Sequence, residues 1–199
     1  MAEISAQDVK ALREQTGAGF MDCKRALEEA GGDLDRATAL LRERGLAAAA
    51  RKADREVREG LVDSYIHLGN RVGVLIEVNC ETDFVARTDE FRKLVHDLAI
   101  QVAGMAPEHV DVDRIPPEEL ERKRAELAAD ESVQKKPEAI RAQIVEGQLR
   151  KWYAQAVLYE QPFRDTDFTV RELVTQRIAT IGENIRVRRF ARFALGEDR

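Results

Sequence analysis

A chain of 199 residues with 44% hydrophobic side chains can bury a real core, which excludes a wholly disordered protein and bounds the fold at one or two domains. Charged residues reach 35% against a usual ~25%, and the net charge is -5, so long solvated helical faces are expected and a surface that wraps nucleic acid all round is not. No apolar run approaches the ~18 residues of a membrane span, Met1 to Lys10 lacks a leader pattern, and Cys23 and Cys80 suit neither a metal knuckle nor a disulfide framework, which together describe a cytoplasmic chain.

Three short helices open the sequence. Ser5 with Asp8 forms a capping pair, Val9 and Leu12 give one apolar face, and Gly17 stops the helix. Met21, Ala26, Leu27 and Ala30 make a second face, ended by Gly31-Gly32. Asp33 caps a third helix with Leu34, Ala37, Leu40 and Leu41 inward and Gly45 as its stop. Residues 1–45 therefore read as a small module with a thin core. Residues 46–59 read as an exposed connecting helix or linker: an Ala run, then dense charge, with six basic and three acidic residues between Arg42 and Arg58. Residues 60–199 read as an α+β core.

That core begins with a change of period. Val72, Val74, Ile76, Val78 and Cys80 alternate with polar residues as a half-buried strand does, and Val62, Ser64, Ile66 and Leu68 alternate more loosely before it. Gly69-Asn70 supplies hairpin-turn chemistry between them, so a hairpin is expected from Leu61 to Cys80. Phe91, Leu94, Val95, Leu98, Ala99 and Val102 then fit a helical face up to Gly104. Pro116-Pro117 opens a helix within the acidic stretch Glu108 to Glu131, Pro137 a longer one with Ile140, Ile144, Leu149, Trp152, Tyr153 and Ala156 on it, and Thr169 with Glu172 a last one closed by Gly182. Ile185, Val187, Ala191, Phe193 and Leu195 share one parity of a closing strand, broken only by Arg189, with Arg186, Arg188 and Arg192 on a solvated face. The fold class is α+β, mainly helical, with a small antiparallel sheet.

Catalytic chemistry finds no support in these residues, and no cofactor is implied. Gly17-Ala18-Gly19 with Lys24 fails the phosphate-loop spacing and lies between helices. His67, His96 and His109 are scattered, and neither cysteine has a base near it in sequence. The segment that stands out is Thr82-Asp83-Phe84-Val85, an acid and a large aromatic where a buried strand gives way to helix. Phe84 has two readings there: a staple packed beneath the following helix, or a wedge held outward for a partner.

Four runs resemble the bacterial elongation factor Ts family: LREQTGAGFMDCKRALEEAGGD (Leu12 to Asp33), LIEVNCETDFVAR (Leu75 to Arg87), GQLRKWYAQAVLYEQPF (Gly147 to Phe163) and IGENIRVRRFARF (Ile181 to Phe193). The resemblance implies a guanine-nucleotide exchange factor for elongation factor Tu and not an enzyme. It implies an N-terminal three-helix module like the ubiquitin-associated fold, then a connecting helix, then the α+β core. On the same ground Lys10, Arg13, Phe20 and Met21 would dock on the partner's nucleotide-binding domain, with Phe20 where a Met is common. Thr82, Asp83, Phe84 and Val85 would dislodge Mg2+ from the partner's site, and His67 would contact the same partner domain. Long members of the family carry a duplicated core half; this chain resembles the short form, which implies a homodimer of two half-cores, without membrane or direct nucleic-acid contact. Ala191 stands where some short relatives carry a cysteine, so no disulfide crosses that dimer. The rival reading is an RNA- or ribosome-associated protein using Arg51, Lys52, Arg55 and Arg58 with the Arg186 to Arg192 strand, against which the acidic net charge weighs.

Overall fold

The computed structural model describes residues 4–164 and 166–197. In chain order the elements are α1 (Ala6–Thr16), α2 (Phe20–Ala30), α3 (Leu34–Ala50), β1 (Glu59–Ile66), β2 (Val72–Cys80), α4 (Asp83–Ala86) and α5 (Asp89–Met105). There follow α6 (Pro117–Ala129), α7 (Glu131–Gln134), α8 (Glu138–Ala156), α9 (Val170–Ile181) and β3 (Arg186–Ala194). The strands form one antiparallel sheet in the order β1-β2-β3. Two compact units divide the chain. One takes Met1–Val62, Glu77–Val95 and Arg171–Val187, the other Asp63–Ile76, His96–Val170 and Arg188–Arg199.

In the first unit, α1 to α3 enclose a core of small and medium side chains: Val9, Leu12, Cys23, Ala26, Leu27, Ala30 and Ala37. Ser5 and Asp8 cap α1 reciprocally, Asp33 caps α3 through the Arg36 N–H, and Gly17 and Gly31 end α1 and α2 in the left-handed conformation that a Cβ disfavours. Met21 does not join the inner face of α2. It is 58% exposed, and Cys23 takes its place in the core. The reason is helical phase: Cys23, Ala26, Leu27 and Ala30 fall on one stripe, and Met21 lies off it.

The third helix does not stop at Gly45. It runs on to Ala50, because Leu46 to Ala50 are strong helix formers and Gly45 keeps a right-handed backbone. Gly45 is buried there against Thr175 of α9, a close approach rather than a terminus. The residues beyond are not a freely solvated linker. Buried Asn184 donates its side-chain amide to the carbonyls of Ala53 (3.3 Å) and Arg55 (2.9 Å), and Arg186 donates to the Ala53 carbonyl as well. Nearby, β1 and β2 approach so closely that a Cβ on Gly60 (φ +140°) would lie 2.2 Å from the Val78 carbonyl oxygen.

In the second unit the hairpin turn forms at Gly69-Asn70, both with positive φ, and the His67 N–H donates to Val72 O at 2.9 Å. As the alternation predicts, β2 buries Val74 and Ile76, and farther on Val78 and Cys80. The looser strand behaves differently. Its apolar parity, Ile66 with Leu68 just beyond, faces outward, and the half-buried side is Asp63 and Tyr65. The closing strand changes phase. Val187 is buried, Arg188 and Arg189 are both exposed, Arg192 is buried and Phe193 is exposed, the burial signature of one extra residue in the strand. Arg192 is therefore not solvated: it donates to the Ala103 carbonyl and forms a paired contact with Glu197 at 2.7 and 2.9 Å.

The register brings the outward apolar residues together. The Leu195 N–H donates to Arg71 O at 2.8 Å, which sets Phe193 beside Gly73, and the hairpin sets Ile66 beside Gly73 from the other strand. Ile66 Cδ1 lies 3.0 Å from where a Gly73 Cβ would sit. Ile66, Leu75 and Phe193, with Leu68 and Leu195 at the ends, thus make a flat exposed apolar face. Elsewhere in this unit Ile140 of α8 is exposed while Leu149 and Ala156 are buried, and fully buried Gln161 is satisfied by Gln101, Gln155 and Met105.

Candidate partner-binding site

The wedge segment begins where β2 ends. Cys80 is the last buried residue of the strand, and its thiol donates to the Thr82 carbonyl at 3.2 Å. Thr82 keeps an extended backbone (φ -126°, ψ 152°) and its hydroxyl accepts the Val85 N–H at 3.3 Å, an N-cap for α4. Over the next turn the side chains divide. Val85 and Ala86 are buried, whereas Phe84 is 77% exposed. Phe84 is no staple for Phe91 and Val95. Asp83 is also exposed and pairs with Arg87 at 2.8 Å, one turn on.

A second turn holds this one. Glu183, just before β3, accepts the N–H groups of Glu81 (3.0 Å) and Thr82 (3.1 Å) and the Thr82 hydroxyl proton (2.6 Å). Glu81 answers by accepting the Asn184 N–H at 2.6 Å, and Arg55 stands 3.5 Å from both of its carboxylate oxygens. Sequence reading passed over Glu183 and Asn184. The one available signal was an acid next to a glycine at the end of a helix, inside the run IGENIRVRRFARF.

The N-terminal candidates are all surface residues of the same unit. Lys10 and Arg13 lie three apart on the exposed side of α1, Lys10 also facing Glu14 at 3.7 Å. Phe20, 48% exposed, and Met21 open α2 directly after the Gly17–Gly19 turn. His67 belongs to the other unit. Its Nδ1 lies 2.9 Å from the Tyr65 hydroxyl, and the Tyr65 ring packs against both His67 and His96, with centroids 5.9 Å away in each case. His96 in turn meets Asp63 at 3.0 Å.

The chemistry available here is that of contact. Burial foremost, with the Glu183 charge second, pushes the Cys80 thiol up to about 11, and burial also raises Cys23, so neither offers a thiolate at neutral pH. Among the described residues, the group whose ligand atoms converge as a metal would need is Glu108, His109 and Glu119, all in the second unit. There His109 is already engaged by Glu119 at 3.0 Å and lies edge-on to Trp152.

The family sequence model described as Elongation factor TS matches residues 6–176. The chain belongs to the elongation factor Ts family. It is 58% identical to Elongation factor Ts of Synechococcus sp. (strain JA-3-3Ab), over 98% of this chain and 70% of the relative. It is 53% identical to that of Carboxydothermus hydrogenoformans, over 98% of this chain and 90% of the relative, and 53% identical to that of Coprothermobacter proteolyticus, over 98% and 100%. Elongation factor Ts is a translation elongation factor that exchanges guanine nucleotide on elongation factor Tu, and this is the function of the chain. Among the described residues no helix is long and apolar enough to cross a membrane.

Proposed function

We propose that Phe84 is the wedge of the exchange reaction. It is inserted, with Asp83, beside the magnesium site of elongation factor Tu so that Mg2+ is displaced and GDP leaves. The observation that carries this reading is an aromatic 77% exposed on a capped helix that buries Val85 and Ala86. Thr82 caps that helix and Val85 anchors it. Mg2+ is an effective target, because it neutralises phosphate charge and tolerates little distortion of its coordination. No bond in the factor itself is made or broken.

Magnitudes say that the wedge works with help. A thousandfold faster release needs about 4 kcal/mol, at ~1.36 kcal/mol per decade. Burying one Phe supplies roughly 1.5–3 kcal/mol. The remainder falls to the exposed set Lys10, Arg13, Phe20 and Met21 in the N-terminal module and to His67 on the hairpin, all engaged best with the nucleotide-free partner. Reciprocity requires that GDP weaken the complex by the same factor as the complex weakens GDP. The division of labour follows the chain: residues 1–45 as a docking module, 46–59 as the connection, 60–199 as the exchange core, acting in the cytoplasm.

The core is completed by a second copy. The exposed face of Ile66, Leu75 and Phe193 extends onto β3, which is an edge of the sheet, and a two-fold axis there would bury both face and edge. With Ala191 in the strand, such a dimer rests on packing alone and dissociates on dilution whatever the redox conditions. The deciding experiment for the wedge is release of fluorescent GDP from elongation factor Tu by wild type and Phe84→Ala. Slower release with an unchanged thermal transition supports it. A variant that unfolds as a core truncation would, at the cost of ~3–5 kcal/mol, refutes it.

A further inference from the structure

The wedge has a positioning problem that its own residues do not solve. A four-residue helix has no stability of its own, and Phe84 is 77% exposed, so packing of its ring does not fix where it points. Its orientation therefore depends on the cap, and the cap depends on Thr82.

Thr82 is held from outside the segment. Beyond Cys80 the β2 ladder has ended, and the next two N–H groups, of Glu81 and Thr82, converge on one carboxylate oxygen of Glu183 at 3.0 and 3.1 Å. The other oxygen takes the Thr82 hydroxyl proton at 2.6 Å. That hydroxyl, its proton committed to Glu183, presents its lone pair to the Val85 N–H at 3.3 Å. One carboxylate thus fixes two backbone groups at ordinary hydrogen-bond distances and, through a short charge-assisted bond, the direction of the capping hydroxyl. Glu183 is itself placed by the close of α9, where the Gly182 N–H donates to Ile178 O and Gly182 turns at φ +89°. The adjacent Asn184 N–H returns a bond to Glu81 at 2.6 Å, so the two turns clasp each other.

We infer that Glu183 is a positioning residue for exchange: its carboxylate orients α4 so that Phe84 meets the partner already aimed. This rests on the reading of Phe84 as the wedge. The consequence is a separation of effects. Loosening the clasp leaves the docking surfaces intact but reduces the share of encounters in which the ring is aimed, so the maximal rate of GDP release falls while the concentration for half-maximal effect barely moves.

The test uses full-length chain and elongation factor Tu loaded with fluorescent GDP, with rates followed to saturation. Glu183→Ala is expected to lower the maximal rate about tenfold, on the scale of a small misplacement near a reacting centre, with half-saturation within about twofold. Glu183→Gln, whose amide oxygen still accepts the two N–H groups while its NH2 donates to the Thr82 hydroxyl oxygen in a reversed bond, is expected to restore most of the rate. Combined with Phe84→Ala, Glu183→Ala is expected to add nothing, since there is no ring left to aim. A maximal rate within about twofold of wild type for Glu183→Ala, beside a slow Phe84→Ala, overturns this inference and leaves the wedge standing. So does a loss that adds in full to that of Phe84→Ala, or one confined to half-saturation. A Phe84→Ala variant that exchanges at the wild-type rate overturns both. Should Glu183→Ala fail to fold, Glu183→Asp, which withdraws the carboxylate by one methylene, is read against the same outcomes.

Discussion

Two phenylalanines stand out from this protein to nearly the same degree, Phe84 at 77% and Phe193 at 70% exposed, and their mounts differ. Phe84 is alone on a single turn of helix, its neighbours buried or hydrogen-bonded, so it can enter a crevice. Phe193 lies on a sheet with Ile66 and Leu75 for company and bare Gly73 between, so it can only meet another flat face. Exposure by itself does not distinguish the two. What distinguishes them is the stiffness of the mount and the polarity of the surroundings.

The contrast can be broken by charge. Phe193→Glu would bury an unpaired carboxylate in a two-fold contact, so the dimer dissociation constant should rise at least about a hundredfold while the dilute protomer unfolds at its usual temperature. Sedimentation at micromolar concentration reads it, and a wild type that is strictly monomeric yet exchanges at full rate would show that one half-core suffices. Phe84→Ala should slow GDP release by about ten- to hundredfold, the equivalent of the ~1.5–3 kcal/mol one buried ring contributes, with little change in thermal stability. Met21→Ala sharpens the comparison by touching neither mount: half-saturation should rise by about three- to fivefold with the maximal rate unchanged, because a flexible thioether at a docking surface serves affinity. A loss in maximal rate instead would place Met21 with the wedge.

The smallest expected effect is none. Treatment with iodoacetamide at pH 8 should alter neither exchange nor assembly, since the Cys80 thiol sits near 11 and Cys23 is raised too. Modification at the rate of free cysteine would contradict the burial of both. The same shift has a sign for stability. Cys80 is raised from 9.0 to about 11, so its contribution is intact below pH 9 and is lost as pH climbs from 9 towards 11, where the unfolded chain ionises first. Thermal unfolding across that window checks it.

Periodic signals carried most of the architecture. The face of α5 and the alternation of β2 were legible because each buries one continuous stripe, and Ser5, Asp33, Gly17 and Gly31 mark helix ends by local chemistry alone. Gly45 misled because a glycine within a helix and a glycine after one look alike until the partner, here Thr175, is known. The parity of β1 and β3 misled for a related reason: Ile66 and Phe193 are apolar yet exposed, so by alternation alone they imitate core. At the site, the segment Thr82 to Val85 announced itself, but that Phe84 is no staple became legible only from the burial of Val85 and the exposure of Phe84. Glu183 was out of reach, because its partners lie about a hundred positions away and no local pattern encodes such a bond.

The paired exposed arginines of β3 have a consequence for how the gene can vary. Ahead of Arg188 and Arg189 the strand buries its odd-numbered residues, Ile185 and Val187; after them it buries Arg192 and shows Phe193. The extra residue acts as a reading-frame shift written in backbone. Losing one of the two arginines would return the strand to plain alternation with Arg192 still inward and Phe193 still outward, whereas losing a residue farther along would slide the later side chains to the opposite face. A single-residue deletion is therefore absorbed at the arginine pair and disruptive anywhere beyond it.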